Sequence, residues 1–431
     1  MPRPRVVIIG GGFGGIAAAR ALKHAPVDIT LVDRSNHFVF QPLLYQVATG
    51  ALAPSDIAVP IRWLLRSQWN ATVLCATAQS IDPDLRTVSL SDGQVLSYDY
   101  LVLAAGSRHS YFGHDEWEGR APGLKTLEDA IEIRSRFLGS FEDAERCPDP
   151  AEREARQTIV LIGGGPTGVE LAGIMVSIAR NALRREFRRI EPTKTRIILL
   201  EGGPRLLPAF QEHLSAHALR DLQDLGVEVR LNALVTRVTQ SGVDIGDEHI
   251  AARTVFWAAG NTGSHLSMTF PTCVDRASHL RVQPDLSLEG RLEVFVVGDQ
   301  AALSAPGGKP VPRVAQGAIQ MGRSAGLNII RDLRGETRRP FRYSNHGDLA
   351  VIGRYRAVAE FPWFTFSGTP AWLLWLFVHI MYLAGFRNRL TVLVQWGYAF
   401  FTWQRGVRLI LRPSVRRQPA ADAIRVDRQV P

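Results

Sequence analysis

Three observations predict an α/β chain in which one strand–turn–helix unit occurs twice and is followed by a helical C-terminal region. Val6 to Ile9 runs straight into Gly10-Gly11-Gly12-Phe13-Gly14-Gly15 and then an alanine-rich helix. Thr158 to Ile162 runs into Gly163-Gly164-Gly165-Pro166-Thr167-Gly168 and a second helix. Beyond Arg342 the chain turns to apolar, tryptophan-bearing stretches flanked by arginine.

The 431 residues are enough for two to four domains and a large buried cofactor. Hydrophobic residues at 46% and charged residues at 21% exclude a disordered or fibrous chain. The net charge of +9 is nearly all arginine, the lysines being Lys23, Lys125, Lys194 and Lys309. Such an excess suits phosphate-bearing partners: nucleotides, nucleic acid or an anionic membrane. Cys75, Cys147 and Cys273 lie far apart with no C-x-x-C pair, so neither a zinc site, a redox dithiol nor a disulfide framework is expected. No export signal is read before Val6, where the chain enters its first strand.

In the first unit Gly10 allows the tight turn, Gly12 lets a pyrophosphate approach the backbone, and Gly15 lets helix and strand pack closely. The helix N-terminus supplies aligned N–H groups to the phosphates. Asp28 to Val32 is the next strand, and it ends in Asp33, where a carboxylate accepts ribose hydroxyls. The second unit repeats this grammar, with Pro166 at the first helical position, Glu170 on the helix, and a later strand, Arg196 to Leu200, ending in Glu201. Two Rossmann-like dinucleotide sites imply a tightly held flavin and an exchanging nicotinamide nucleotide. Glu201 favours NADH, because a carboxylate repels the 2′-phosphate of NADPH; Arg205 nearby works against that preference.

Tyr100 to Leu103 leads into Ala104-Ala105-Gly106, and Val255 to Trp257 into Ala258-Ala259-Gly260, two near-copies that each return a strand beside a cofactor. Val294 to Val297 then delivers Gly298-Asp299 to a turn. The polar segment from Phe141 to Gln157 is read as a surface loop.

The stretch Leu31-Val32-Asp33-Arg34-Ser35-Asn36-His37-Phe38 and Gln41-Pro42-Leu43-Leu44-Tyr45-Gln46-Val47-Ala48-Thr49-Gly50, with Gly163 to Gly173 and Ala315-Gln316-Gly317-Ala318-Ile319-Gln320, resembles the type II NADH dehydrogenases. These are non-proton-pumping NADH:quinone oxidoreductases of the two-dinucleotide-binding-domain flavoprotein superfamily. The resemblance covers Val6 to about Leu411. It implies FAD at Gly10, Gly12, Phe13, Gly14, Gly15, Asp33, Arg34, Ala105, Gly106, Gly298, Asp299, Ala315 and Gln316. It implies NADH at Gly163, Gly165, Pro166, Thr167, Gly168, Glu170, Glu201 and Gly260. A quinone site is implied at Gln46, Gln316, Gln320 and His379, with Glu170, Gln316 and Gln320 as the catalytic set and no metal.

Residue chemistry agrees in part. The stretch Ser35 to Gly50 holds no cysteine where related disulfide reductases carry a pair, so electrons leave for a diffusible acceptor, and Phe38, Phe40, Leu43, Leu44 and Tyr45 suit a lipophilic one. Gln316 and Gln320 stand four apart, on one helix face, as hydrogen-bond donors to a carbonyl or as two surface glutamines. Glu170 either orients the nicotinamide amide and serves a proton path, or pairs with an arginine. Asn261 and Thr262 depart from the small apolar residues usual in the family after the second Ala-Ala-Gly.

Trp372 to Ala384 is apolar except for His379, and at ~1.5 Å per residue its ~20 Å falls short of a ~30 Å bilayer core. Leu390 to Trp403 is similar, with Gly385 to Arg389 breaking the two apart. No acid occurs between Glu360 and Asp422, while Arg387, Arg389, Arg405, Arg408, Arg412, Arg416 and Arg417 all fall there. This describes an interfacial anchor on an anionic phospholipid bilayer, or alternatively a helical face meeting a second subunit in a homodimer.

The expected organisation is therefore 1–115 as the first part of the FAD domain, 116–265 for NADH, 266–340 as its second part, and 341–431 as the membrane-associating region. The expected protein is a peripheral enzyme on the cytoplasmic face of the cell membrane, without a transmembrane span or nucleic-acid partner, passing hydride from NADH to FAD and electrons to quinone. A sulfide:quinone oxidoreductase and a flavoprotein redox sensor are the rivals. The first needs cysteines flanking the flavin.

Overall fold

The computed structural model describes residues 2–304, 308, 310–402 and 408–411. Strand β1 (Arg5–Ile9) leads into helix α1 (Phe13–Ala21), and β2 (Asp28–Asp33), β3 (Ala71–Cys75) and β4 (Tyr100–Leu103) follow. These strands are near-continuous β-branched and leucine runs, as a parallel sheet covered on both faces requires. β1 lies between β4 and β2, with β3 outside β2. Arg291–Val296 joins parallel to β4, and Ser287–Leu288 closes that edge antiparallel.

Helix α2 (Leu127–Arg146) crosses to the second unit, which holds β5 (Thr158–Ile162), α3 (Pro166–Ser177), β6 (Arg196–Leu200), α4 (Glu212–Leu225), β7 (Glu228–Arg230) and β8 (Thr254–Trp257). Its parallel sheet runs β7-β6-β5-β8. The duplication reaches individual bonds. Gly10 N–H donates to Val32 at 2.8 Å and Ala104 N–H to Ile9 at 2.8 Å; Gly163 N–H donates to Leu200 and Ala258 N–H to Ile162, both at 2.7 Å. Ser107–His109 pairs antiparallel with Asn261–Gly263, a two-stranded ribbon where the chain passes between the units.

α2 corrects the loop expected over Phe141 to Gln157. Phe137, Phe141 and Ala144 continue one buried stripe, so the helix runs to Arg146 with its polar residues facing solvent. Asp149 then caps a second helix, Pro150–Arg156, by accepting the Glu152 N–H at 3.0 Å. Polarity alone had hidden two helices.

Helix α5 (Ala315–Leu333) packs along α1, where Gly14 and Gly322 touch so closely that a methyl group at Gly322 would sit 2.0 Å from the Gly14 carbonyl oxygen. An antiparallel sheet follows, β9 (Asp348–Gly353), β10 (Arg356–Glu360) and β11 (Thr365–Ser367), and then α6 (Thr369–Tyr382) and α7 (Phe386–Thr402). α7 begins four residues before Leu390, so the break expected over Gly385–Arg389 is narrower: Gly385, at φ +88°, makes the turn, and Arg389 Nε donates back to the Leu383 carbonyl at 2.8 Å. No helix among the described residues is long and apolar enough to cross a membrane. Arg405, Arg412, Arg416 and Arg417 lie outside the described residues.

Candidate functional site: two glycine turns and a strapped segment

Each glycine does what its position demands. Gly10 (φ +105°) and Gly163 (φ +112°) occupy the left-handed region that other residues avoid. A methyl group at Gly15 would sit 1.8 Å from the Gly10 oxygen, and one at Gly168 would sit 1.9 Å from the Gly163 oxygen, so both are packing glycines. Gly12 and Gly165 differ: a methyl group there meets nothing within 4 Å, which leaves open space over the turn. α1, α3 and α5 all begin without a side-chain cap, so their first N–H groups are available to phosphate oxygens.

The two acids brace these turns. Asp33 accepts the Gly11 N–H at 2.6 Å and the Ser35 N–H at 2.7 Å. Glu201 accepts the Gly164 N–H at 2.6 Å and the Gly203 N–H at 2.7 Å. Arg205 does not oppose Glu201 as anticipated, because its guanidinium is spent on the Phe210 and Pro208 carbonyls and the Ser215 hydroxyl.

A groove of about 690 Å³ lies along the second turn, and Gly163, Gly165, Pro166, Thr167, Glu201 and Gly260 are in its walls. Gly168 packs beneath the turn instead, and Glu170 is not a wall residue. The groove also takes Phe112, Trp257, His109 and Lys125, none of which sequence reasoning selected. Lys125 Nζ donates to Ser107 Oγ at 2.8 Å, and Ser107 Oγ donates to Asp299 Oδ2 at 3.0 Å, so a short chain of bonds joins this groove to the first unit. Burial holds the lysine below its usual range, against the pull of Asp299 and Asp129. Lys125 stands out in the sequence only as a rare lysine among arginines.

In the first unit, Gly298 (φ +71°) turns the chain and Gln300 Oε1 accepts the Ala105 N–H at 3.2 Å. Gly106 (φ +71°) likewise faces open space. Arg34 is exposed, and Ala315 is the first residue of α5. Open glycines, the uncapped starts of α1 and α5 and a positioned carboxylate fit a dinucleotide such as FAD.

Glu170, Gln316 and Gln320 come together on a single segment. Gln320 bonds both backbone groups of Ser344 at 2.9 Å. Gln316 donates to the Gly347 carbonyl and accepts the His346 N–H, both at 3.0 Å. The Glu170 carboxyl accepts the Val351 N–H, and burial still raises it well above the ordinary carboxylate range. No ion pair reaches Glu170 among the described residues, so the arginine pairing weighed above is absent.

Gln46 and His379 belong to a second group. Gln46 Oε1 accepts the Trp396 indole N–H at 2.8 Å. Trp375 lies 5.3 Å from Trp396 and 4.2 Å from His379, ring centre to ring centre. His379 meets Phe40 at 6.2 Å, and Phe40 meets Phe13, on the first glycine turn, at 6.0 Å. An aromatic column thus runs from that turn to the C-terminal helices. Burial lowers His379 to about 4, so it is neutral at pH 7.

Residues 4–322 match the model of the pyridine nucleotide-disulphide oxidoreductase family, and residues 345–403 match the NDH2 C-terminal domain. The type II NADH:quinone oxidoreductase NdhA of Mycobacterium tuberculosis is 46% identical over 421 residues, with 94% of this chain and 88% of the relative covered. Ndh of the same organism is 43% identical over 419 residues, covering 94% and 89%. Among solved structures, NDH2 from Plasmodium falciparum in complex with NADH superposes with a TM-score of 0.87 at 19% identity, covering 95% of this chain and all of that one. The sulfide:quinone oxidoreductase of Aquifex aeolicus gives 0.70 at 22% identity, covering 90% and 92%. At these identities both structures speak to fold alone. The sequence relatives go further: over nearly its whole length this chain belongs to the type II NADH:quinone oxidoreductases, within the pyridine nucleotide-disulphide oxidoreductase family.

Proposed function

We propose that the protein is a peripheral flavoenzyme that oxidises NADH and reduces a membrane quinone without proton pumping. The observation that carries this reading is the open groove along the second glycine turn, linked through Lys125 and Ser107 to Asp299 of the first unit. FAD, when bound, supplies the carrier that accepts hydride from NADH and returns two electrons to quinone. Gly12, Gly106, Gly298 and the α1 and α5 N-termini hold it, with Asp33 fixing the turn on which its pyrophosphate rests. Thr167 and Gly165 receive the NADH phosphates, and Glu201 orients the adenosine ribose and disfavours NADPH.

On the acceptor side, Gln316 and Gln320 fix the segment Ser344–Gly347 and offer their remaining N–H groups to a quinone carbonyl. Glu170, half-buried and with its carboxyl raised well above the ordinary range by desolvation, is a proton source for reduced quinone. Gln46 and His379 line the route from the C-terminal helices, where His379 acts as a neutral ring. The exposed Phe377, Leu393 and Phe401 of α6 and α7, with the surrounding arginines, rest on the anionic cytoplasmic face of the membrane. Pairing of two copies through this C-terminal unit completes the reading.

Anaerobic titration tests it. NADH is expected to bleach the flavin absorbance of purified holoenzyme, and a quinone analogue to restore it in equal amount. Failure of either step overturns the proposal; bleaching without restoration is the behaviour of a redox sensor.

A further inference from the structure

The C-terminal helices are not the only part of the surface with the chemistry of a lipid interface. In the first unit, Ile61–Leu64 is a short helix whose outward side carries Arg62 and Trp63, and Arg66 follows one turn later. Trp63 is 44% exposed, a large apolar ring left in solvent although Ile61 and Leu65 beside it are buried. The Arg66 guanidinium lies over the indole, 4.0 Å from the ring centre, and its Nη1 donates to the Trp63 carbonyl at 2.7 Å. An aromatic ring with a cation folded onto its face combines an apolar body with a charge at one edge, the form that suits headgroup depth.

Position supplies the second argument. A methyl group at Gly385, the turn between α6 and α7, would sit 3.8 Å from the Trp63 ring. Phe386, the next residue, is 82% exposed, and Arg387 beside it is exposed as well. Arg62, Trp63, Arg66, Phe386 and Arg387 therefore form one patch that continues the apolar face of α6 and α7 onto the first unit. From Ile57 to Ile81 the only charged residues are Arg62 and Arg66, so nothing in this segment opposes an anionic surface.

We propose that the helix carrying Arg62, Trp63 and Arg66 is a second bilayer-contacting element, reading anionic headgroups with its arginines while Trp63 enters the interface. The proposal rests on the membrane placement of the C-terminal helices. It adds a contact on the first unit itself, beside the α6–α7 turn, and this widening of the membrane-facing patch beyond the helical hairpin restrains rotation of the molecule about α6 and α7.

The test uses full-length holoenzyme and sedimentation with vesicles of phosphatidylcholine alone or mixed with phosphatidylglycerol. Five proteins are compared: wild type, W63A, W63F, R62Q/R66Q, and F386S/L390S as a probe of the C-terminal face. R62Q/R66Q is expected to lower partitioning on the anionic vesicles about 25-fold, at roughly fivefold per arginine, and to change little on the neutral ones. W63A is expected to weaken binding to both, W63F to recover most of it, and NADH oxidation with a water-soluble quinone to stay at the wild-type rate in all three. Wild-type partitioning by W63A and R62Q/R66Q while F386S/L390S is released overturns this proposal and leaves the C-terminal anchor standing. A wild-type protein that ignores both vesicles overturns the anchor and this proposal together.

Discussion

Gln320 pairs its side-chain amide with both backbone groups of Ser344, donating to the carbonyl and accepting the N–H at 2.9 Å each, as a neighbouring strand would. A glutamine is needed because only a primary amide presents donor and acceptor side by side. Gln320→Glu keeps the acceptor but sets a carboxylate against the Ser344 carbonyl. It is expected to lose about 1–2 kcal/mol of stability and to raise the quinone KM severalfold. Flavin reduction by NADH, followed by stopped flow, should be unchanged; slowing of that half-reaction would remove Gln320 from the acceptor side.

In the proposed function, nucleotide choice rests on Glu201. Its oxygens already accept the Gly164 and Gly203 N–H groups, so the carboxylate is fixed before any ligand arrives. Glu201→Gln loses one acceptor and the negative charge together. The expected result is a fall of about tenfold in kcat/KM for NADH and a rise for NADPH, measured on the same preparation. Unaltered discrimination would place the ribose elsewhere.

The third and sixth positions of the second glycine turn separate ligand effects from folding effects. Gly165→Ala puts a methyl group where no protein atom lies within 4 Å, at an ordinary extended φ of −71°. Gly168→Ala drives one to 1.9 Å from the Gly163 oxygen. The first variant should melt like wild type and bind NADH weakly. The second should lose about 3 kcal/mol or more, visible as a lower Tm before any ligand is added.

The glycine turns, their acids and the duplicated strand ends were legible in the sequence because each is a local pattern whose physics needs only neighbouring residues. Gln320 was legible as a candidate, but its partner was not: Ser344 is 24 residues away, and only the docking of α5 against the chain after it brings the two together. Lys125 was missed for the same reason, its partners Ser107 and Asp299 arriving from two other elements. Arg205 was misjudged because proximity in sequence says nothing of where a long side chain is spent. The helix over Phe141–Arg146 was lost when polar residues on a solvent face outweighed a three-residue buried stripe.

Glu170 has a raised pKa caused by burial, opposed only by the Val351 N–H. Its neutral form is favoured in the folded state, so the stability it contributes is complete below the unfolded value near 4.3 and declines as pH rises through the folded one. Glu170→Gln should therefore be at least as stable as wild type at neutral pH while turning over quinone more slowly, with a flatter pH–rate profile. A profile identical to wild type would end its role in proton transfer.

His379 runs in the opposite direction. Burial against Trp375 and Phe40 lowers it from the ordinary 6.5 to about 4, the Trp375 carbonyl opposing the shift through its bond to Nδ1 at 2.8 Å. The unfolded chain then binds a proton that the folded chain refuses, so stability is complete above pH ~6.5 and falls as the pH drops towards 4, by about 3 kcal/mol in total. His379→Gln removes that titration. Denaturant midpoints collected between pH 4 and 7 should slope steeply for wild type and less for the variant, the two curves converging on the acid side. Parallel curves would mean that the ring is solvated in the folded protein, and the aromatic column from Phe13 to Trp396 would then be open to water at its centre.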